Sequence, residues 1–155
     1  MQKIFIGADH NGFALKKKIK VWLDKKGLAQ EDMGNIFYDA SDDYPDYALR
    51  VARRVSKDKA RGVLVCGSSH GMAIAANKIK GIRAVAVNNM QDARKTREDD
   101  DANVICLSGW QLSFSQAVKI LGVWLSTPFS GEARHKRRLA KITRMEKPWN
   151  ALFLR

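Results

Sequence analysis

The stretch Gly62-Val-Leu-Val-Cys66, followed without a break by Gly67-Ser-Ser-His-Gly71 and Met72-Ala-Ile-Ala-Ala-Asn-Lys-Ile79, decides the fold class. An apolar run of strand length ends in a cysteine, and a loop of small residues turns the chain. Ala73, Ala75 and Ala76 then open a helix slim enough to pack closely on a sheet. Strand, turn and helix in that order form the βα unit of a parallel sheet.

Outward from this stretch the same unit recurs. Residues 3–8 are apolar and end in Asp9-His10, and beyond Asn11-Gly12 the positions Phe13, Leu15, Ile19, Trp22 and Leu23 have helical spacing. A weaker strand is expected over 28–33, turned by Gly34-Asn35, and an acidic loop over 39–46 leads through Pro45 into a helix over 47–56. Downstream the pattern predicts a helix over 72–79, strands over 82–87 and 103–108, helices over 90–97 and 114–125, and a basic helix from about 131. The expected architecture is α/β, a three-layer α/β/α sandwich around a five-stranded parallel Rossmann-like sheet. It fills residues 1–147 as one domain; the apolar extension 148–155 is expected to pack on a partner subunit.

With 155 residues, 45% of them hydrophobic and 28% charged, the chain suits one buried core and disfavours disorder. The formal charge of +12 directs attention to phosphorylated ligands or polyanions. Apolar runs are strand-sized, far short of the roughly 20 residues that cross a bilayer. Met1-Gln-Lys-Ile-Phe-Ile-Gly7 runs into a polar segment without a cleavage site, so a cytoplasmic protein is expected. Cys66 and Cys106 lack CxxC or His/Cys spacing, which argues against a zinc site and a disulfide framework. The loop lacks both the Lys-Ser/Thr ending of a nucleoside triphosphate loop and the GxGxxG spacing of a dinucleotide site.

Ligands of such sheets bind beyond the carboxyl ends of the strands, which singles out Asp9-His10, residues 66–71 and the segment around Asn103. Cys66, before a loop that opens a helix, is either a small buried hydrophobe or a thiol whose pKa the backbone N–H groups would lower towards that of a useful base. Gly67, Ser68, Ser69, His70 and Gly71 form either a plain tight turn or a row of N–H donors for an oxyanion. Asp9 and His10 are a local cap or a polar pair for a ligand. Arg134 and Arg138, four apart, share a helix face and could clamp a phosphate, although a basic face is more often merely solvated. Asp99-Asp-Asp101 reads as a solvated acidic turn rather than a metal site, and Cys106 as core.

Several motifs taken together resemble the ribose-5-phosphate isomerase B family, which includes galactose-6-phosphate and allose-6-phosphate isomerases. They are Gly7-Ala-Asp-His10 with Gly12 and Leu15-Lys16, Asp43-Tyr-Pro45 with Tyr47-Ala48, Cys66-Gly67 with Gly71, Ala75-Ala-Asn-Lys78 with Gly81-Ile-Arg-Ala84, Ala102-Asn-Val104, and Arg134-His135 with Arg138. The resemblance runs from Lys3 to Ile142. It implies aldose–ketose isomerisation of a sugar phosphate through a cis-enediolate, by default ribose 5-phosphate to ribulose 5-phosphate in pentose phosphate metabolism. It also implies no metal or other cofactor, and a homodimer or tetramer with sites at the subunit interface. Cys66 would be the base, since Met72 stands where another branch of the family carries a Glu. Ser68 would sit near the substrate; Asp9 and His10 would meet the sugar and its phosphate, Tyr44 would line the pocket, and Arg134 and Arg138 would hold the phosphate.

Three departures bear on these roles. Asp99-Asp100 replaces a His-Asn pair that in the family opens the ring and holds the enediolate, Trp110 replaces an Arg, and Ser69-His70 alters the loop. A carboxylate at Asp99 could still move a proton, whereas Asp100 would repel an enediolate. His70 is therefore a second candidate for the acid/base function lost at position 99. Two alternatives remain: another pentose or hexose phosphate, or a catalytically degenerate binder of RNA or another polyanion. No aromatic-interleaved RNA motif or DNA-reading module appears, which argues against a nucleic-acid partner.

Overall fold

A computed structural model describes residues 3–147. Among them the chain alternates strands and helices: β1 (Ile4–Ala8), α1 (Phe13–Lys25), β2 (Gln30–Asp32), α2 (Tyr44–Asp58), β3 (Arg61–Cys66), α3 (His70–Ala76), β4 (Ala84–Ala86), α4 (Met90–Glu98), β5 (Val104–Ser108), α5 (Phe114–Ser126) and α6 (Ala133–Met145). The strands form one parallel sheet in the order β2-β1-β3-β5-β4. The period of two along each strand divides its side chains between two cores. Ile6, Val65 and Leu107 enter one, beneath Ile19 of α1 and Leu121 and Trp124 of α5; Phe5, Leu64, Cys66 and Cys106 enter the other, beneath Val51 of α2 and Met72 of α3. These are the two outer layers expected from the sequence.

Element bounds differ from the sequence reading for local reasons. α2 starts three residues earlier, at Tyr44, because Pro45 falls in the first turn, where its missing N–H costs no bond. α3 opens at His70 because Ser69, at φ 73°, turns the chain directly into the helix. It stops at Ala76 because the Asn77 side chain exchanges hydrogen bonds of 2.8 and 2.7 Å with the backbone of Ala84, tying the helix end to β4. β4 begins late because the Arg83 N–H is taken by the Asn103 side chain at 2.8 Å.

Part of the positive charge is structural. Lys16 opens a run of three lysines, yet its side chain is 1% exposed and donates to Asp32 Oδ1 at 3.0 Å and to the Asn35 carbonyl at 2.6 Å. Arg97 is also buried, and its guanidinium lies over the Trp124 ring while bonding Asp101 at 2.8 Å and the Ala102 carbonyl at 2.6 Å. Asp101 pairs with Arg83 at 2.9 Å as well, so the acidic run ends in an anchor for two arginines, not in a solvated turn.

The crossovers diverge between β1 and β3. α1 carries the chain to β2 on one side of β1, and α2 brings it back to β3 on the other. The carboxyl ends of β1 and β3 thus bound a crevice, closed at its floor by a hydrogen bond of 3.3 Å from Asp9 N–H to the Val65 carbonyl.

Candidate active site

Cys66 ends β3 on the side of α2 and α3 and is 4% exposed. The loop after it curls so that the backbone N–H groups of Met72, Ser69 and Ser68 face the sulfur. Burial nonetheless pushes the thiol up, and the neighbouring Asp9 charge adds to the rise; the three N–H groups oppose it without reversing it. The pKa drop expected from the loop and helix is therefore absent in the isolated chain, because desolvation outweighs the backbone donors. Cys106 is fully buried in the core, where its thiol is pushed far above the usual range.

Two glycines let aromatic side chains touch this loop. A Cβ on Gly67 would lie 2.5 Å from the Trp110 indole, and one on Gly71 would lie 2.7 Å from the Tyr44 ring. Tyr44 and Trp110 are 40% and 70% exposed, so both flank the loop as open walls. The loop is fastened from below: Ser108 Oγ donates to the Gly67 carbonyl at 2.6 Å, and Gly109 N–H donates to the Cys66 carbonyl at 2.7 Å. The amides of His70 and Gly71, in the first turn of α3, have no carbonyl four residues back within the helix. The His70 ring is exposed.

Across the crevice the Asp9 carboxylate accepts from Gly12 N–H at 2.9 Å, and burial raises its pKa beyond what that bond offsets. His10 contacts a residue that sequence reasoning did not single out, Asp42. The Asp42 Oδ1 accepts from His10 N–H at 3.0 Å and lies 2.7 Å from His10 Nδ1, while its Oδ2 accepts from Asn35 Nδ2 at 3.1 Å. Asn11 was also missed: its Nδ2 is 2.8 Å from His10 Nε2, and its Oδ1 accepts from Trp110 Nε1 at 3.3 Å. Asp42 is one of several acids in its loop and reaches His10 across 32 positions, so no local spacing could have marked it.

The remaining site residues proposed from sequence lie elsewhere in the chain. Cys66 pairs with Ser108 at the end of β5, whereas Asp99 and Asp100 precede the start of that strand, roughly 13 Å of strand away at about 3.3 Å per residue. Arg134 lies near Asp99, the two lining a recess of about 370 Å³ with Lys95, Glu98 and Ser130. His135, 2% exposed, fixes α6 there: its Nδ1 is 2.9 Å from Ser130 Oγ and 3.7 Å from Asp99 Oδ1. Arg138 lies one turn further along α6, exposed like Arg134. The residues proposed from sequence thus fall into two groups at opposite ends of the sheet: a thiol half with Asp9, His10, Ser68 and Tyr44 around Cys66, and a basic half with Asp99, Arg134 and Arg138. Among the described residues no group of three or more His, Cys, Asp or Glu side chains could hold a metal, and no helix is long and apolar enough to cross a membrane.

Comparison with known proteins follows this geometry. The Ribose/Galactose Isomerase family model matches residues 4–142. A probable ribose-5-phosphate isomerase B of Mycoplasma genitalium is 44% identical over 93% of this chain and 95% of its own, and a putative sugar phosphate isomerase of Bacillus subtilis is 39% identical over 93% and 97%. Among solved structures, a ribose-5-phosphate isomerase B of Mycoplasma genitalium with bound ribulose 5-phosphate superposes with a TM-score of 0.90 at 42% identity, covering 93% of this chain and 95% of that one. The Clostridium thermocellum ribose-5-phosphate isomerase B superposes with a TM-score of 0.89 at 41% identity, covering 93% and 97%. With its crevice thiol, its parallel sheet and a match over nearly its whole length, the chain belongs to the ribose/galactose isomerase family.

Proposed function

We propose that this protein interconverts ribose 5-phosphate and ribulose 5-phosphate through a cis-enediolate, with Cys66 as the base. The observation that carries the reading is the Cys66 sulfur at the carboxyl end of β3, under three backbone N–H groups and beside Asp9. In the open-chain aldose the thiolate takes the proton from C2, the electrons spread over C1, C2 and their oxygens, and the thiol returns the proton to C1. The first-turn amides of His70 and Gly71 face the oxygens on which charge develops, so they bind the enediolate more tightly than the sugar. The Ser68 hydroxyl passes the hydroxyl proton between O2 and O1. Asp9, His10 and Tyr44 face the sugar.

The phosphate ligands come from a second copy of the chain. Arg134 and Arg138 stand at the opposite end of the sheet from Cys66, so a complete site needs the basic half of a neighbour, with its Asp99 and Asp100, against the thiol half of this one. A homodimer or a tetramer built from dimers satisfies this. The extension 148–155, proposed to pack on the neighbouring subunit, lies outside the described residues. Cys66→Ala tests the chemistry: it should abolish aldose–ketose conversion while sugar-phosphate binding persists by calorimetry. An active Cys66→Ala enzyme would remove the thiol from its role.

A further inference from the structure

We propose that a recess at the amino ends of β3, β4 and β5 binds a phosphate dianion, either the free ion or the end group of a small phosphate ester, at a site separate from the isomerase centre. The recess measures about 400 Å³, and its walls carry Lys59, Arg61, Arg83 and Arg97 against one carboxylate, Asp101. Arg61 opens β3, Arg83 immediately precedes β4, and Arg97 lies near the end of α4, the helix that leads into β5. Because β5 pairs with both β3 and β4, the sheet itself delivers these side chains to one place. The recess shares no lining residue with the one around Arg134, yet its Arg83 and Arg97 both hold Asp101, two positions from Asp99.

These arginines are not a solvated helix face. The Arg97 side chain is 7% exposed and that of Arg83 27%. The guanidiniums of Arg61 and Arg97 lie over the same buried indole, Trp124, at 5.4 and 5.7 Å from its ring centre. Hydrogen bonds fix their orientation. Arg61 donates through Nη1 to the Leu125 carbonyl at 2.5 Å, and Arg97 through Nε to the Thr127 carbonyl at 3.3 Å and through Nη1 to Asp101 and the Ala102 carbonyl. Arg83 uses Nε and Nη2 on the Asp100 and Asp101 carbonyls and the Asp101 carboxylate. Among the described residues, Nη2 of Arg61, Nη2 of Arg97 and Nη1 of Arg83 have no protein acceptor.

Carbonyl acceptors orient a guanidinium but leave its charge in place. Burial, and after it the Arg97 charge, press the Arg61 pKa down, and Asp101 works against both without cancelling them. Three arginines drawn together out of water around one carboxylate leave an excess of positive charge that a second anion neutralises. Guanidinium edges take phosphate oxygens in pairs, and a dianion answers the excess more fully than a single carboxylate. A recess of this volume suits a compact ligand, whereas a nucleic-acid strand calls for cations strung along an open groove.

Inorganic phosphate, titrated by calorimetry into the Arg134→Gln, Arg138→Gln protein, provides the test, because that protein lacks the phosphate ligands proposed for the isomerase centre. One equivalent per chain should bind. Adding Arg61→Gln should weaken that binding by about tenfold or more, the loss expected for one charge-assisted hydrogen bond. Glycerol 3-phosphate, run in parallel, distinguishes an ester from the free ion; saturable binding of either that Arg61→Gln weakens supports the site. In the unsubstituted protein, phosphate should protect Arg61 and Arg83 from phenylglyoxal, as peptide mass spectrometry would read, and leave Arg53, exposed on α2, unprotected. That comparison does not depend on how a variant folds. Absence of binding to the double variant, binding that Arg61→Gln leaves intact, or labelling of Arg61 and Arg83 that phosphate does not slow would overturn the proposal.

Discussion

Replacing Asp32 by Asn should destabilise the protein far more than replacing the lysine it pairs with. Lys16 is 1% exposed, and its ammonium bonds Asp32 and the Asn35 carbonyl. In Asp32→Asn the ammonium keeps its hydrogen bonds but loses the buried countercharge. Breaking a buried ion pair from one side costs about 3–5 kcal/mol; the retained amide oxygen places this case near about 3 kcal/mol. For a chain of this length that is a fall in Tm of about 6–12 °C. Lys16→Met leaves Asp32 with Lys20 at 2.8 Å and the Gly34 N–H at 2.9 Å, and the thioether fills the lysine stem's place. Its cost should stay within about 1.5 kcal/mol. The pairing with Lys20 and Lys16 and the Gly34 N–H hold the Asp32 pKa below 3.8 against its burial, so its stabilisation is present above that pH and lost as pH falls through the folded value. Thermal and urea unfolding of both variants across acid pH provide the assay. If Lys16→Met is the more damaging, or the gap between Asp32→Asn and the parent fails to narrow in acid, the reasoning is wrong. The loss also reaches the site, since Lys16 holds Asn35, and Asn35 holds Asp42.

Alkylation of Cys66 by iodoacetamide should rise with pH to a midpoint above 9.0, because burial disfavours the thiolate; a midpoint below the free-thiol value would contradict the desolvation argument. In Gly71→Ala the new methyl group displaces the exposed Tyr44 ring, while alanine favours the helix by up to about 1 kcal/mol, so stability should hold as kcat/KM falls several-fold. Kinetics matching the parent would remove Tyr44 from the pocket wall.

The alternation of strands and helices was legible because β1, β3 and β5 are apolar and almost wholly buried, and α1, α2 and α5 each carry a one-sided apolar stripe. The turn from Cys66 into α3 was legible for the same reason, as small residues announce a tight connection. What escaped depends on contacts between distant segments. Nothing near Lys16 in sequence says that β2 will place Asp32 over it, and nothing near Asp101 says that Arg83 and Arg97 will converge on it. Asp42 stands among similar acids until the fold sets it against His10. The shift of the Cys66 thiol was misread because the N–H donors are visible in the local sequence, whereas the depth of burial that outweighs them is set by α2, α3 and Asp9.

The division of the site between two copies is tested most directly by mixing two inactive proteins, Cys66→Ala and the double variant Arg134→Gln, Arg138→Gln. In a hybrid dimer the thiol half of the second chain meets the basic half of the first, and one of the two sites is complete. Random re-association at equal concentrations should therefore restore about a quarter of the parent activity towards ribose 5-phosphate. Hybrids that form, as native mass spectrometry would show, and yet remain inactive would contradict a site shared between subunits.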